Sequence, residues 1–324
     1  MTATPELEIA LPRRRRRFVQ HPVASVLVGA MLFGTAGVAQ GFAAVDASPV
    51  AVGAMRLAAG ALVVTAFVMS RGVTLRHVVG MWRAKATLVA AAGAAAYQPF
   101  FFGGIGLAGV PLGTLVAVGS APVATGLIAW LVLRERPTRH WAIATLVCVA
   151  GLALLTGAGT GRSALLGMLL ALGAGVSIAT FSVAAKRMLL RGVSTPEVLA
   201  STFLLGSCVM LPVAAVLGIG WVATAPGLAL TVWLGVATMG LANVLYTRGL
   251  GGLPAPTAAT LTLTDPLTAT LLGWLLLGQA LAPLGWAGLA VLFAGLVLQG
   301  VWASRRPRPA HVTPDPALPP SPIA

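Results

Sequence analysis

Stretches of about twenty predominantly apolar residues follow one another along most of the chain, separated by short polar gaps. At the α-helical rise, about twenty residues cross the hydrocarbon core of a bilayer, so each stretch predicts a transmembrane helix. The pattern places helices at 22–42, 49–70, 86–107, 112–133, 141–158, 164–185, 197–217, 227–247, 254–277 and 283–302. The predicted class is an all-α integral membrane protein with ten crossings.

The cations then sort by alternate gaps. One side receives Arg13 to Arg17, then Arg71, Arg76, Arg83 and Lys85, then Arg134, Arg136 and Arg139. It also takes Lys186, Arg187 and Arg191, then Arg248, then Arg305, Arg306 and Arg308. Of the 21 Lys and Arg, that leaves Arg162 alone on the opposite side and Arg56 inside a helix. Cytoplasmic loops carry such an excess, so the rich side is expected to face the cytoplasm with both termini inside. An odd number of missed or invented helices would scramble the alternation, so the charges also support ten crossings.

Composition points the same way. Hydrophobic residues make up 58% and charged residues 9%, with a mean hydropathy of +0.93, too apolar for a soluble domain with a charged surface. A net charge of +14 raises the question of nucleic acid, but the cations sit where topology determinants face anionic headgroups, and no nucleic-acid partner is expected. Cys148 and Cys208 both lie in predicted helices, which argues against a disulfide framework or a metal site. The arginines before the first apolar run could be taken for an export signal, yet that run is long enough to span and nine more follow, so a retained anchor is expected. Residues 1–20 and the Pro-rich 304–324 are expected to be disordered tails.

The chain also repeats itself. GTLVAVGSAPVATGLIAWLVLRE from Gly113 aligns with PTAATLTLTDPLTATLLGWLLLGQ at an offset of 144, matching Pro122 to Pro266, Trp130 to Trp274, Leu133 to Leu277 and Gly151 to Gly295. The first unit is expected over 21–160 and the second over 161–303. Because each unit holds five crossings, the two must insert in opposite orientations, the inverted-repeat plan of many secondary transporters, with a substrate site near the midplane.

GTLVAVGSAPV followed by LVLRERPTRHW, and LTLTDPLTATLLGWLLLGQAL followed by LGWAGLAVLFAGLVL, resemble the ten-helix EamA-type carriers of the drug/metabolite transporter superfamily, over about residues 22–302. Members of that family carry a Pro within helices 4 and 9 and a Gly-Glu or similar pair at their ends. Glu135 keeps the first acid, while Gln279 replaces the second. The resemblance implies a carrier without ATP hydrolysis for a small metabolite, such as an amino acid, a related compound or a drug-like molecule, with export the expected direction. The implied partners are that substrate and the membrane lipids. No cofactor is implied.

Several intramembrane residues are candidates for the transport itself. Pro122 and Pro266 each remove a backbone donor and clash with the carbonyl four residues earlier, Val118 and Thr262. They read either as a paired kink at which the halves flex or as ordinary kinked helices. Asp265 sits near the middle of a helix, where an ionised carboxylate costs about 2.5–3.5 kcal/mol on insertion scales, so it should face a partner or water. It could exchange a proton, meet a substrate ammonium, or be held neutral by neighbouring helices. Its counterpart in the first repeat is Ala121, while Ser120 matches Thr264, so charge-based coupling would be asymmetric.

Arg56 lies about 10 Å inside its helix. It could bind a substrate carboxylate, pair with Asp265, or snorkel to the interface. Gln40, Tyr97, Gln98, Asn243 and Tyr246 are neutral polar residues that either line a cavity with Ser120 and Thr264 or join helices. Trp82, Trp141, Trp221, Trp286 and Trp302 suit an aromatic belt, the Gly37 and Gly41 pair suits close helix packing, and Trp130 and Trp274 could be core or gate. An intramembrane enzyme is disfavoured: His21, His77, His140 and His311 fall at span edges or outside, and no HExxH, nucleophile elbow or phosphate-binding loop occurs. A channel remains the other alternative, though no rings of charge mark a conduit.

Overall fold

The computed structural model describes residues 21–156 and 164–305. They form α1 Pro22–Ala43, α2 Pro49–Ser70, α3 Lys85–Ala108, α4 Val110–Leu133 and α5 Arg139–Thr156, then α6 Ala164–Leu190 and α7 Thr195–Leu217. Two interrupted helices follow, α8 Ala225–Gly252 and α9 Ala255–Leu277, and α10 Pro283–Ser304 closes the series. Nine of the described helices are long and apolar enough to cross a membrane, and α5 is the shorter apolar helix among them. Residues 1–20, Arg162 and 306–324 lie outside the described residues, so the tails and the lone opposite cation are not placed.

Local signals explain many of the boundaries. Pro22, Pro49 and Pro283 open their helices, where the missing N–H would have had no intrahelical partner. Ser194 and Glu197 form a capping box at the start of α7. The turns after α4 and α9 are built alike, with Arg134 and Gly278 left-handed at φ 58° and 65°, and with the Glu135 and Gln279 N–H groups donating to Ala129 O and Gly273 O at 3.2 Å. All three residue pairs differ by the repeat offset, so the backbone repeats where the sequence does.

The closest packing runs between the repeats rather than within them: α3 and α4 lie against α6, α1 against α8 and α9, α2 against α7, and α5 against α10. The last pair shows how. A Cβ on Gly151 would meet the Leu292 backbone, and one on Gly295 would lie 2.9 Å from Cys148 N. Gly151 and Gly295 differ by 144, as do Cys148 and Leu292, so the contact is its own image under the repeat. Gly288 in turn packs on Leu155, so contact positions descend along α10 as they rise along α5, and the two helices are antiparallel. Small residues permit this approach, and dispersion between backbones holds helices together where lipid supplies no hydrophobic drive. A larger core joins the other helices around Leu57, Phe181, Leu199, Phe203, Leu250 and Leu261, with the Phe181 and Phe203 rings stacked 5.8 Å apart.

Four expectations are corrected. The sixth and eighth helices run on to Leu190 and Gly252, so Lys186, Arg187 and Arg248 lie inside helices rather than in gaps, and Lys186 is 5% exposed instead of facing headgroups. Gly37 has open space where its Cβ would stand. On α1, Gly29 and Gly34 make the close approaches, to α8 and α9, while Gly41 meets only the Leu277 side chain. Trp130 and Trp274, at 48% and 42% exposure, are not core. Trp141 and Trp82 do more than mark an interface: their indole N–H groups donate to Pro256 O and Ser201 O at 3.0 Å.

Replacing Gly151 or Gly295 with Val should lower thermal stability in lipid nanodiscs by about 1–3 kcal/mol, the usual cost of overpacking. Gly37→Ala should leave the melting curve unchanged. Comparable losses at Gly37 would show that the glycine contacts between α5 and α10 are not special.

Candidate functional site

Four helices converge on the centre of the bundle, and two of them are irregular there. In α8 the segment Leu234–Leu241 is π-helical, with the Ala242 N–H donating to Ala237 O five residues back. Such bulges widen a helix and recur at functional sites. Gly235 packs on Ala59, and Gly60 on Met239, which seats the bulge against α2 one turn beyond Arg56. Asn243 follows the bulge, buried, donating to Thr238 O at 3.3 Å.

The second irregularity is a break in α9 at Thr262 and Leu263. The Pro266 nitrogen cannot donate to Thr262 O, and that carbonyl instead accepts from the Asp265 N–H at 2.9 Å in a tight turn. The turn delivers Asp265 at the head of the second segment, Thr264–Leu277. Gly34 of α1 allows the close approach, since a Cβ there would come within 2.7 Å of Asp265 O. The repeat-related Pro122 behaves differently: α4 is continuous across it.

Arg56, Tyr97 and Asp265 share one electrostatic neighbourhood, fed by α2, α3 and α9. All three lie within their helices and are partly exposed. Among the described residues Arg56 makes no contact ion pair with Asp265, and its Nε has no hydrogen-bond partner. Thr264, 2% exposed, likewise leaves its Oγ1 without a partner. Gln98 is buried, its amide filling the space above Gly53, one turn before Arg56. The arrangement is a polar cluster with one cation and one carboxylate that form no contact ion pair with each other.

The remaining candidates fall outside this group. The Tyr246 hydroxyl donates to Ser182 Oγ at 2.9 Å, and both residues are buried, which ties α8 to α6. Ser120 donates to Ala117 O and occupies the space over Gly175 of α6. Gln40 donates to Ala36 O within its own helix. Two features of the site escaped sequence reasoning: the bulge in α8 and the glycine beneath Gln98.

A sequence profile of the EamA-like transporter family matches residues 22–157 and again 165–300. The chain belongs to the EamA-like transporter family. It is 36% identical over 275 residues to the protein named uncharacterized transporter YwfM of Bacillus subtilis (strain 168), covering 84% of this chain and 91% of that one. A shorter match, 33% identical over 66 residues, is to the putative permease-like protein YdzE of the same organism; it covers 20% of this chain and 85% of that protein. A solved structure titled "Crystal structure of protein" shares the fold at a TM-score of 0.75 with 22% identity, covering 87% of this chain and 99% of that one. This EamA-like chain is therefore a multi-pass membrane transporter built from two matched repeats.

A double-mutant cycle separates joint from ligand at Tyr246. Tyr246→Phe and Ser182→Ala should each cost about 0.6 kcal/mol of stability, the average for interhelical hydrogen bonds in a membrane, and the double variant should cost no more than either. Additive losses would mean that the two hydroxyls act independently.

Proposed function

We propose that this chain is a secondary carrier of the cytoplasmic membrane that moves a small dipolar metabolite by alternating access. Ten crossings form two inverted five-helix halves, a reading supported by the antiparallel α5 and α10 and by the repeat-related contacts between them. The end that carries Arg71, Arg134, Arg136, Arg191 and Arg305 faces the cytoplasm, with both termini, by the positive-inside rule.

One observation carries the substrate class: an arginine and an aspartate lie within electrostatic reach of each other without a contact ion pair between them. A ligand with an anionic and a cationic group, such as an amino acid zwitterion, satisfies both at once, whereas a singly charged or apolar compound leaves one buried charge unpaired. Arg56 takes the anionic group. Asp265 takes the ammonium, or a proton when the site is empty, which couples movement to the proton gradient. Thr264, Gln98, Tyr97 and Asn243 supply neutral polar contacts, with Gln40 and Ser120 nearer the periphery and Tyr246 holding the wall. The break before Pro266 is the flexing point, and Pro122 is its stiffer counterpart. In this reading the normal direction is export.

Sealed proteoliposomes with a panel of zwitterionic amino acids, matched amines and matched carboxylates, with and without an imposed pH gradient, test the proposal. Zwitterions should move and their singly charged analogues should not. Arg56→Gln should weaken apparent affinity by roughly tenfold to a hundredfold, the loss expected for a charged hydrogen bond. Asp265→Asn should abolish the response to the pH gradient while leaving the fold intact. Unchanged gradient-driven transport in Asp265→Asn removes that residue from the mechanism, and equal transport of all three classes overturns the dipolar substrate.

A further inference from the structure

A second set of charges lies away from Arg56 and Asp265, at the cation-rich end. Glu135, just beyond the last turn of α4, pairs through Oε1 with Lys186 Nζ, one turn before the end of α6. Its other oxygen, Oε2, accepts from the Ala255 N–H at 2.7 Å, and Lys186 Nζ also donates to Leu253 O. These contacts join three places in the fold: the exit of α4, the exit of α6 and the junction between α8 and α9. The Lys186 side chain is 6% exposed and that of Glu135 is 22% exposed, so the pair is largely withdrawn from water.

What it grips is the first segment of the broken helix, Ala255–Leu261. The same segment is held from α5, where Trp141 Nε1 donates to Pro256 O and to Thr260 Oγ1 at 3.0 Å and Thr145 shares a hydrogen bond with Thr260 at 2.8 Å. Beyond Leu261 comes the break at Thr262 and Leu263, and then Asp265. The charged cluster and Asp265 therefore flank one seven-residue segment, with the break between that segment and Asp265.

We infer that Glu135 and Lys186 form a latch that holds the cytoplasmic end shut, and that the Ala255–Leu261 segment is the gate it fastens. The inference rests on the alternating-access reading above. The repeat supplies its strongest argument. If the halves exchange conformations, the opposite end should close through the residues related by 144 positions, and these cannot rebuild the latch. Glu135 corresponds to Gln279, whose amide instead folds over Gly273 of its own helix, and Lys186 corresponds to Phe42. Ala255 corresponds to Pro111, which has no N–H to donate. That end instead opens into a depression of about 430 Å³ bordered by Asp46, Trp221 and Thr224. The latch is one-sided, so it biases the carrier toward the state closed to the cytoplasm, and a substrate leaving the cell must first release it.

Labelling of Ala258→Cys tests this. Ala258 is fully buried in the gate segment, and the background replaces Cys148 and Cys208 with Ala. A membrane-impermeant maleimide is applied to the cytoplasmic face of inside-out vesicles. With Glu135 and Lys186 intact, Ala258→Cys should be protected. Glu135→Gln, which keeps an acceptor for the Ala255 N–H, and Lys186→Met should each speed its labelling on the order of a hundredfold, as loss of one partner of a buried pair implies.

Asp46→Cys, on the opposite face, should label at an unchanged or lower rate in both variants. Continued protection of Ala258→Cys in both overturns the latch. So does an equal rise at both positions, which would mean general loosening. Altered transport without altered labelling counts against the latch and leaves the carrier standing. Altered labelling in a protein that moves none of the panel compounds counts against the carrier reading alone.

Discussion

Hydrocarbon offers the backbone no hydrogen-bonding partner, so a chain inside a bilayer departs from the α-helix only where protein or a hydrated cavity covers the exposed groups. The described residues obey this closely. The two departures within the long helices are the π segment of α8, followed by Asn243, and the break in α9, followed by Asp265. The carbonyl released by Pro266 is taken up by the Asp265 N–H, and the glycines at 34, 60 and 235 let neighbouring helices press against the irregular turns. Irregular backbone and intramembrane charge occupy the same place because the same shielding serves both.

The two repeats divide this work unevenly. Their turns after α4 and α9 superpose in hydrogen bonding, and their fifth helices meet through equivalent glycines. Yet the bulge, the break and the central carboxylate all belong to the second repeat, while the central arginine and Tyr97 belong to the first. The architecture is symmetric where it must interlock and asymmetric where it handles charge. The heaviest packing joins opposite repeats.

The all-helical, multi-pass architecture was legible from the sequence because apolar run length does not depend on tertiary detail. The repeat was legible through Pro122, Pro266 and the tryptophans. The site was legible only as a set of candidates, since polarity inside a span says nothing of direction. Arg56 and Asp265 share an electrostatic neighbourhood without touching, while Tyr246 spends its hydroxyl on Ser182 and Ser120 packs over Gly175. The π segment had no readable signature beyond Gly235 and Gly240, because a bulge is set by what the neighbouring helix presents. Lys186 was misplaced for a simpler reason: a cation near a helix end looks like a loop charge until its partner across the fold is known.

The account depends on two halves inserted in opposite senses, which brings the segment after α2 and the end of α6 to the same face. His77 and Glu197 already meet across these segments at 3.4 Å. The direct measurement is side-specific alkylation in native membranes, in a cysteine-free background, of Val79→Cys and Leu190→Cys, both exposed positions. The account predicts that an impermeant reagent reaches both from the cytoplasmic side alone. Reaction of the two from opposite sides would contradict it.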